Sequence, residues 1–206
     1  ELEMFLLQKE GRFLFIDTET TDTLKAGRNC LPVQITYILT DTTRDMNIIS
    51  KGNMYILQDI ISEGAIAVHG MTRDILLKIN ASLPEDKVDE VADIIKNPRN
   101  LFVAHNVAFD SRVISNFGYQ AQRQIYPRVK FCTYQASRRG EINKGLDKGS
   151  GKLENLCEYN GITNEDISSL CKELFLTTAD YHNSMYDTAA LYLLFKANYD
   201  GILKKE

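Results

Sequence analysis

Runs and alternations of apolar residues predict that the first part of the chain forms strands. An apolar run that stops abruptly at two acidic residues predicts a buried first strand over residues 12–17. Strict alternation over residues 32–39 predicts a half-buried second strand, and a polar turn at residues 41–43 leads into a third over residues 44–50. The glycine-containing segment 51–53 is expected to end that strand. This part of the chain therefore predicts a hairpin or meander.

The second part of the chain alternates between helical and strand patterns. Apolar residues spaced three and four apart predict a helix that begins at Ser82 or Pro84 and ends before Pro98. Short strands are predicted at residues 101–104 and 129–133, and the other predicted helices are residues 152–159, residues 182–199 and a stretch that ends near Gly118. Strands that alternate with helices imply a mixed sheet covered by helices, an α/β layer architecture.

Composition fits a single globular domain over residues 1–206. The chain is 44% hydrophobic and 25% charged, and it contains no internal repeat or linker. Its four cysteines lack Cys-x-x-Cys spacing, which disfavours a zinc site and indicates reduced thiols. No signal segment or membrane-spanning apolar run is visible, so we expect a soluble, intracellular, cytoplasmic protein without a membrane partner. Because the chain begins with Glu1, whether it is part of a longer protein stays open.

The charge distribution leaves two readings for one basic segment. The net charge of −4 argues against a protein that holds nucleic acid by overall positive charge. Residues 121–152 nevertheless contain eight lysines and arginines but only two acids, interleaved with Tyr126, Phe131 and Tyr134. This segment is either a solvated surface loop or a rim that contacts phosphates.

Two carboxylates end the first predicted strand, and two more lie elsewhere in comparable positions. Asp17 and Glu19 are two apart, so they share one face of the strand, where like charges raise each other's pKa unless a cation lies between them. The simpler interpretation is a polar strand end that happens to hold two acids. Asp110 follows the end of another buried strand, and Asp187 lies near the start of the final helix. Four carboxylates carry the charge that two divalent cations neutralise, and all-oxygen ligands favour Mg²⁺ or Mn²⁺.

Three short motifs in order give the chain a family resemblance. They are Asp17-Thr18-Glu19-Thr20-Thr21, His105-Asn106-x-x-Phe109-Asp110 and His182-x-x-x-x-Asp187. The set resembles the exonuclease motifs of the DEDD superfamily, and the histidine five residues before the last acid resembles its histidine branch (DEDDh). That branch includes the proofreading subunit of bacterial replicative polymerases, RNase T and oligoribonuclease. The resemblance implies an RNase H-like exonuclease fold, in which helices flank a mixed five-stranded sheet.

The chain departs from the family pattern at three positions. Asp22 stands where the family usually has glycine, and Ser184 and Thr188 stand where it favours alanine. None of these positions is one of the expected ligands. The departures therefore bear on the substrate rather than on the chemistry.

The resemblance implies a role for each of five site residues. Asp17 bridges two divalent cations, Glu19 and Asp187 hold one of them, and Asp110 holds the second. Two cations about 4 Å apart support an in-line displacement at phosphorus by water. His182 is expected to act as the general base that takes the proton from the attacking water.

Five further residues are expected to bind the terminal nucleotide of the substrate. Main-chain groups of Thr18 and Thr20 would meet the 3′-hydroxyl, and Leu24 would wedge against the last base. Phe109 is either a core residue or a residue that stacks on a base. His69, in a segment that resembles the family's His-Gly-Ile-Thr sequence, either binds the terminal nucleotide or caps its own segment.

These features together predict a metal-dependent exonuclease that acts on the 3′ end of single-stranded nucleic acid and releases nucleoside 5′-monophosphates. DNA is the favoured substrate. The first alternative is an exoribonuclease that trims RNA 3′ ends, and the second is a nucleic-acid-binding domain that has lost catalysis. An intact set of four acids and a histidine argues against the second alternative. A polymerase or another replication or repair partner follows from family analogy alone.

Overall fold

The computed structural model describes residues 2–6, 10–142, 151–177 and 181–203. Its strands are β1 (Arg12–Thr20), β2 (Pro32–Asp41), β3 (Ile48–Tyr55), β4 (Asn100–Ala104) and β5 (Lys130–Cys132). Its helices are α1 (Leu2–Leu6), α2 (Glu63–His69), α3 (Arg73–Lys78), α4 (Pro84–Lys96), α5 (Val107–Gln120), α6 (Thr133–Arg138), α7 (Leu153–Tyr159), α8 (Asn164–Phe175), α9 (Ser184–Ala197) and α10 (Tyr199–Leu203). A 3-10 helix, Leu24–Asn29, follows β1.

In the described residues, five strands form one mixed sheet in the order β3-β2-β1-β4-β5. β1 runs antiparallel to β2, and β2 runs antiparallel to β3, which confirms the predicted meander. β4 and β5 join as parallel strands on the other side of β1. Because β1 and β4 are parallel, the residues that follow both strands meet at the same edge of the sheet. The predicted α/β fold, a mixed five-stranded sheet flanked by helices, is thus confirmed.

Helices cover both faces of the sheet and form a separate apolar core on each. Phe13 and Phe15 of β1 point to the face that α7, α8 and α9 cover. Leu14 and Ile16 point to the face that α4 and α5 cover. α9 is buried around most of its circumference, and the ring centroid of Phe195 lies 4.9 Å from that of Phe13 and 5.2 Å from that of Phe15. Alternation along β1 therefore decides which helices each of its side chains meets.

The third strand begins later than the sequence predicts. The prediction of a strand over residues 44–50 is wrong at its start, because the turn after β2 is longer than three residues. The Asp41 carboxylate accepts hydrogen bonds of 3.1 Å from the backbone N–H groups of both Thr43 and Asn47. These bonds hold residues 42–47 in a closed loop, so β3 starts only at Ile48.

The segment 51–53 continues β3 instead of ending it, so this prediction is also wrong. Gly52 lies opposite Tyr37 of β2 in the strand register. The ring of Tyr37 occupies the space that a Cβ at residue 52 would need. This glycine therefore permits a close approach between a strand and an aromatic ring, and it does not mark a turn.

Most predicted helices are present, with shifted ends. The helix predicted to start at Ser82 or Pro84 is α4, and the helix expected to end near Gly118 continues to Gln120. The last long helix begins at Ser184 rather than at residue 182, because the Asn183 side chain caps it by accepting the Met185 N–H. Within the ranges that the structure describes, no helix is long and apolar enough to cross a membrane.

Candidate active site

The end of β1 carries acids at a point where the sheet opens on one side. β1 pairs with β2 along its whole length, but its pairing with β4 ends at the Phe15–Val103 pair. The chain that follows β4 can therefore approach the residues of β1 beyond that pair. Alternation puts Asp17 and Glu19 on the face covered by α9, and it puts Thr18 on the face covered by α5.

The segment after β4 brings a third acid to this strand end. Asn106 has a left-handed backbone conformation with a φ of 68°, and it turns the chain from β4 into α5. Asp110, in the first turn of α5, is 2% exposed and accepts a hydrogen bond of 2.9 Å from the Thr18 hydroxyl. The Thr18 side chain thus ties Asp110 to the strand that carries the first two acids.

The start of α9 brings the fourth acid from the opposite face. The Ser184 hydroxyl lies 2.7 Å from the Thr36 hydroxyl of β2, and this contact fixes the first turn of α9 on the sheet. Asp187 belongs to that first turn. Carboxylate oxygens of Asp17, Glu19 and Asp187 all lie within 4.8 Å of one another. Segments distant in sequence therefore converge on one carboxylate cluster.

Burial raises the pKa values of all four carboxyl groups, and the charges of neighbouring acids raise them further. Burial raises the pKa of Asp17 well above its ordinary value, and the charges of the other three acids raise it further. Burial, followed by the charges of Asp187 and Asp110, raises the pKa of Glu19 to about 9. Burial also raises the pKa values of Asp110 and Asp187 to about 7, although hydrogen bonds to these carboxylates partly offset the effect. The cluster therefore resists full ionisation without a compensating positive charge.

Two oxygen atoms of the cluster also have no hydrogen-bond donor. In the part of the chain that the structure describes, Asp17 Oδ2 and Asp187 Oδ1 are buried and have no hydrogen-bond partner. A buried carboxylate oxygen without a partner is costly. Divalent cations would supply both the missing contact and the missing charge. The donor set consists of oxygen atoms, so it fits Mg²⁺ or Mn²⁺.

His182 lies beside the cluster and faces solvent. Its backbone is left-handed with a φ of 69°, and its N–H group donates a hydrogen bond of 3.3 Å to Asp187 Oδ2. The side chain is exposed, and it lines the same cavity as Asp17 and Asp187. This backbone contact keeps the imidazole next to the acids while water and substrate can still reach it.

The contacts of His69 favour one of its two expected roles. The backbone N–H of Met71 donates to His69 Nδ1 over 3.0 Å, so the ring proton resides on Nε2. Nε2 then donates to the Thr20 carbonyl over 2.9 Å. Both ring nitrogens are thus engaged by the protein, and burial lowers the pKa of the imidazole. His69 caps its own segment and ties it to the end of β1, which agrees with the second of the two expected roles.

The other residues expected to meet the terminal nucleotide lie around the end of β1. Thr18 and Thr20 are buried, and the Thr20 hydroxyl donates to the Asp22 carbonyl over 2.8 Å. Leu24 is 39% exposed at the start of the 3-10 helix. Phe109 is half-buried in the first turn of α5, next to Asp110 in sequence.

One residue of the site, His105, received no role from the sequence. The Gly151 carbonyl can only accept, so His105 Nε2 donates to it over 2.8 Å, and Nδ1 accepts from the Thr133 hydroxyl over 2.9 Å. Burial lowers the pKa of this imidazole, which keeps it neutral. The signal was its place directly after a buried strand, but its partners lie 28 and 46 residues away in sequence.

The acids border a cavity of about 570 Å³ that extends away from β1. This volume is within the range of small-molecule sites in proteins. The residues that line the cavity come from the acids, the start of α5, α6, the start of α7 and the segment before α9: Asp17, His105, Asn106, Tyr134, Gly151, Lys152, Leu153, Glu154, Tyr181, His182 and Asp187.

Solved structures of exonuclease I share the fold of this chain. E. coli exonuclease I in complex with a dT13 oligonucleotide matches with a TM-score of 0.71 at 20% identity, covering 90% of this chain and 40% of that chain. Apo exonuclease I matches with a TM-score of 0.71 at 22% identity and coverages of 92% and 42%. A complex of exonuclease I with SSB-Ct matches with a TM-score of 0.68 at 21% identity and coverages of 91% and 41%. The chain thus spans about two fifths of the length of these relatives. A search of curated proteins found no match.

A comparison with protein families identifies a family in addition to the fold. The model of the exonuclease family of the RNase T type matches residues 14–195. The matched range contains all three motifs, the four acids of the cluster and His182. The chain therefore belongs to this exonuclease family, within the DEDD superfamily that its motifs resemble.

Proposed function

We propose that the chain is a metal-dependent 3′-to-5′ exonuclease that hydrolyses single-stranded nucleic acid to nucleoside 5′-monophosphates. One observation carries the proposal: carboxylate oxygens of Asp17, Glu19 and Asp187 lie within 4.8 Å of one another, and two buried oxygens of these acids have no hydrogen-bond partner among the described residues. A cluster of this kind costs stability unless cations complete it. Family membership supports the same activity.

The four acids would hold two divalent cations. Asp17 would be the central ligand, since its carboxylate lies within 4.8 Å of those of Glu19 and Asp187 and the charge of Asp110 also acts on it. Glu19 and Asp187 would share one cation with Asp17, and Asp110, fixed by the Thr18 hydroxyl, would serve the second. When bound, such a pair of cations neutralises charge at a scissile phosphate and assists in-line attack by water.

His182 would accept the proton of the attacking water. The imidazole is exposed, and its backbone N–H is anchored on Asp187 Oδ2. Histidine suits this role because its ordinary titration lies near neutral pH. The anchored backbone keeps the ring at the cluster, while the exposed side chain remains open to water.

DNA is the substrate that the comparisons favour. The matching exonuclease I structures include a complex with a dT13 oligonucleotide and a complex with SSB-Ct. By analogy, single-stranded DNA 3′ ends are the proposed substrate here, and a replication or repair protein is the proposed partner. An exoribonuclease is the second candidate, because the matching family is named for a ribonuclease.

A cleavage assay tests the proposal. We expect 5′-labelled single-stranded DNA to shorten stepwise from its 3′ end with Mg²⁺ or Mn²⁺, and a chelator to stop the reaction. Asp17→Asn should abolish cleavage, whereas Asp86→Asn, at an exposed acid in the first turn of α4, should not change it. The rate ratio between DNA and an RNA of the same sequence chooses between the two substrates. Retained oligonucleotide binding without cleavage under either metal would contradict the proposal and favour a binding domain.

A further inference from the structure

The carboxylate cluster borders a cavity that the residues expected to hold the terminal nucleotide do not line. The five residues that the sequence assigned to the terminal nucleotide are Thr18, Thr20, Leu24, His69 and Phe109, although the contacts of His69 favour a structural role. Although the structure describes all five, none of them lines the cavity of about 570 Å³. That cavity begins at Asp17 and Asp187 and extends toward α6 and α7. A phosphodiester has two sides, one nucleotide that leaves and one that stays on the strand.

We propose that this cavity holds the nucleotide on the 5′ side of the scissile phosphate, with Lys152 at the strand's backbone and Tyr134 against the base or sugar. The proposal rests on the exonuclease function and adds to it the path of the retained strand. It assigns a substrate-binding role to residues outside the three motifs.

Lys152 offers a positive charge that, within the described residues, only a weak ion pair holds. It lies directly before α7, and its side chain is 76% exposed. Its ammonium group lies 3.9 Å from Glu154 Oε1, and the Glu154 side chain is itself 45% exposed. Exposed ion pairs contribute little to stability, so a phosphate can replace this contact at small cost. The ammonium group therefore supplies the cavity with a cation beside an otherwise acidic site.

Tyr134 offers a ring that is fixed before any ligand arrives. Its ring meets that of His105 edge to face at a centroid distance of 5.8 Å. Its other contacts are Gly151, where a Cβ would collide with the ring, and Arg138, whose Nη1 donates to the Tyr134 hydroxyl over 3.4 Å. A ring held in this way loses little conformational entropy on binding. Aromatic rings of this kind stack on bases of any sequence.

His105 joins the walls of the cavity into one unit. Its two ring nitrogens bind the Gly151 carbonyl and the Thr133 hydroxyl, so it connects the end of β4 to the starts of α6 and α7. The imidazole is largely buried, and both of its hydrogen-bonding groups are satisfied. The cavity is therefore a built surface rather than a gap between loosely packed segments.

The same contacts favour one reading of the basic segment 121–152. Lys152 and Tyr134 line the cavity, and the Arg138 guanidinium lies over the Tyr134 ring, 5.9 Å from its centroid. These positions agree with a rim that contacts phosphates. Residues 143–150 of the segment lie outside the described residues, so the inference uses none of them.

A comparison of two substrates distinguishes binding of the retained nucleotide from catalysis. One is a 5′-labelled dT oligonucleotide, and the other is the p-nitrophenyl ester of thymidine 5′-monophosphate, which has a leaving nucleotide but no retained one. For Lys152→Ala and for Tyr134→Leu we expect KM for the oligonucleotide to rise about tenfold. For Lys152→Ala the kcat/KM for the ester should change less than about twofold, because the ester has no strand backbone beyond the reacting phosphate for Lys152 to contact. Lys152→Ala should also reduce the salt dependence of oligonucleotide binding by about 0.7 in log–log slope.

Matched controls remove the same chemical groups elsewhere. Lys172→Ala, at an exposed position on α8, removes one positive charge, and Tyr159→Leu, on a 57% exposed tyrosine of α7, removes one ring. Neither residue lines the cavity. Both controls should leave both substrates unaffected.

The outcomes are distinct. Equal losses on both substrates in Lys152→Ala would overturn the proposal, since the cavity would then serve the leaving nucleotide or the chemistry. Unchanged kinetics on both would place the retained strand elsewhere and overturn it as well. Wild-type protein that cleaves neither substrate would contradict the exonuclease function instead. In that case fluorescence anisotropy of a labelled dT oligonucleotide decides the strand path alone, because Lys152→Ala must weaken binding about tenfold for the proposal to stand.

Discussion

Both halves of β1 bury their side chains, but burial suits the apolar side chains of the first half and not the acidic side chains of the second. Residues 13–16 are at most 2% exposed, and they pack among apolar side chains of the helices on both faces. Directly after them, Asp17 and Glu19 carry raised pKa values, and no group in the described part of the chain donates a hydrogen bond to Asp17 Oδ2. Folding alone gives the apolar side chains of the first half their packing contacts. The acids of the second half lack a compensating positive charge until cations bind. The difference indicates that stability and function are assigned to separate stretches of one strand.

The same division appears in α9, the helix that packs on this face of β1. Phe195, near its end, packs against Phe13 and Phe15, and Tyr192 meets Phe15 at a ring-centroid distance of 5.7 Å. Asp187, in its first turn, joins the carboxylate cluster. The aromatic contacts hold β1 and α9 in register, and this register brings the acids together.

Replacing Asp17 by a neutral residue should lower activity and raise stability at the same time. Asp17→Asn is expected to reduce exonuclease activity by about a thousandfold or more, because the acid that faces all the others is lost. The same change should raise the melting temperature of the metal-free protein, because it removes repulsion at the cluster. Activity assays and thermal unfolding in chelator measure the two effects. A variant that is both inactive and less stable would contradict the comparison.

Replacing His182 should impair the chemistry without disturbing the metal centre. His182→Ala is expected to lower kcat by about a hundredfold to ten-thousandfold, the usual contribution of a general base. Its backbone N–H remains to hold Asp187, so affinity for Mn²⁺ should stay within about twofold of the wild type. Calorimetric titration with Mn²⁺ provides the second readout. A large loss of Mn²⁺ affinity would instead identify His182 as a ligand.

Replacing Phe13, in the apolar half of β1, should lower stability and leave activity nearly unchanged. Phe13→Ala is expected to lower the free energy of unfolding by about 3–5 kcal/mol, since a fully buried ring is lost from the aromatic group. Phe13→Leu is the milder variant if the alanine protein does not fold. Denaturant unfolding measures the loss, and the folded variant should keep near-normal kcat. A strong loss of kcat in the folded leucine variant would show that the two halves are coupled.

The stability of the metal-free protein should fall as pH rises, and bound metal should remove that fall. Carboxyl pKa values raised to about 7 and about 9 mean that the metal-free folded state binds more protons than the unfolded state. Stability therefore falls as pH rises from about 4 through about 9. Saturating Mg²⁺ should remove this decline, because bound cations favour the ionised acids. Melting temperatures across this range, with chelator and with Mg²⁺, test the sign; identical curves would contradict it.

The smallest expected effect concerns the contact between Thr18 and Asp110. Thr18→Val removes a hydroxyl that lowers the pKa of Asp110, so that pKa should rise further. Metal affinity at neutral pH should fall about fivefold, in line with the loss of one hydrogen bond to a charged group. Calorimetric titration with Mn²⁺ at two pH values checks this result. The deficit should shrink at high pH, and a deficit that is constant with pH would point to a steric cause.

The sequence correctly predicted the strands whose hydrophobic pattern is a property of adjacent residues. The apolar run before Asp17 and the alternation of β2 are properties of adjacent residues, and both strands formed as expected. The boundaries of β3 could not be predicted, because they depend on Asp41 closing a turn and on Tyr37 lying over Gly52. These contacts exist only after the sheet has formed.

The acids of the site followed from motif spacing, but their surroundings did not. Spacing could predict that Asp17 and Glu19 share a face. It could not predict that His69 is engaged on both nitrogens, or that His105 reaches Gly151 across 46 residues of sequence. The wall formed by Tyr134 and Lys152 likewise depends on packing between α6 and the start of α7. Residues whose partners are distant in sequence leave little signal in a single chain.

Calorimetric titration of the metal-free protein with Mn²⁺ near pH 7, in two buffers of different ionisation enthalpy, measures whether divalent cations complete the carboxylate cluster. We expect two bound ions for each chain and a net release of protons, since the pKa values of Asp110 and Asp187 are raised to about 7 and that of Glu19 to about 9. Asp17→Asn should abolish or greatly weaken this binding while the protein remains folded. Binding without proton release, or equal binding by the variant, would contradict the claim that divalent cations complete the carboxylate cluster.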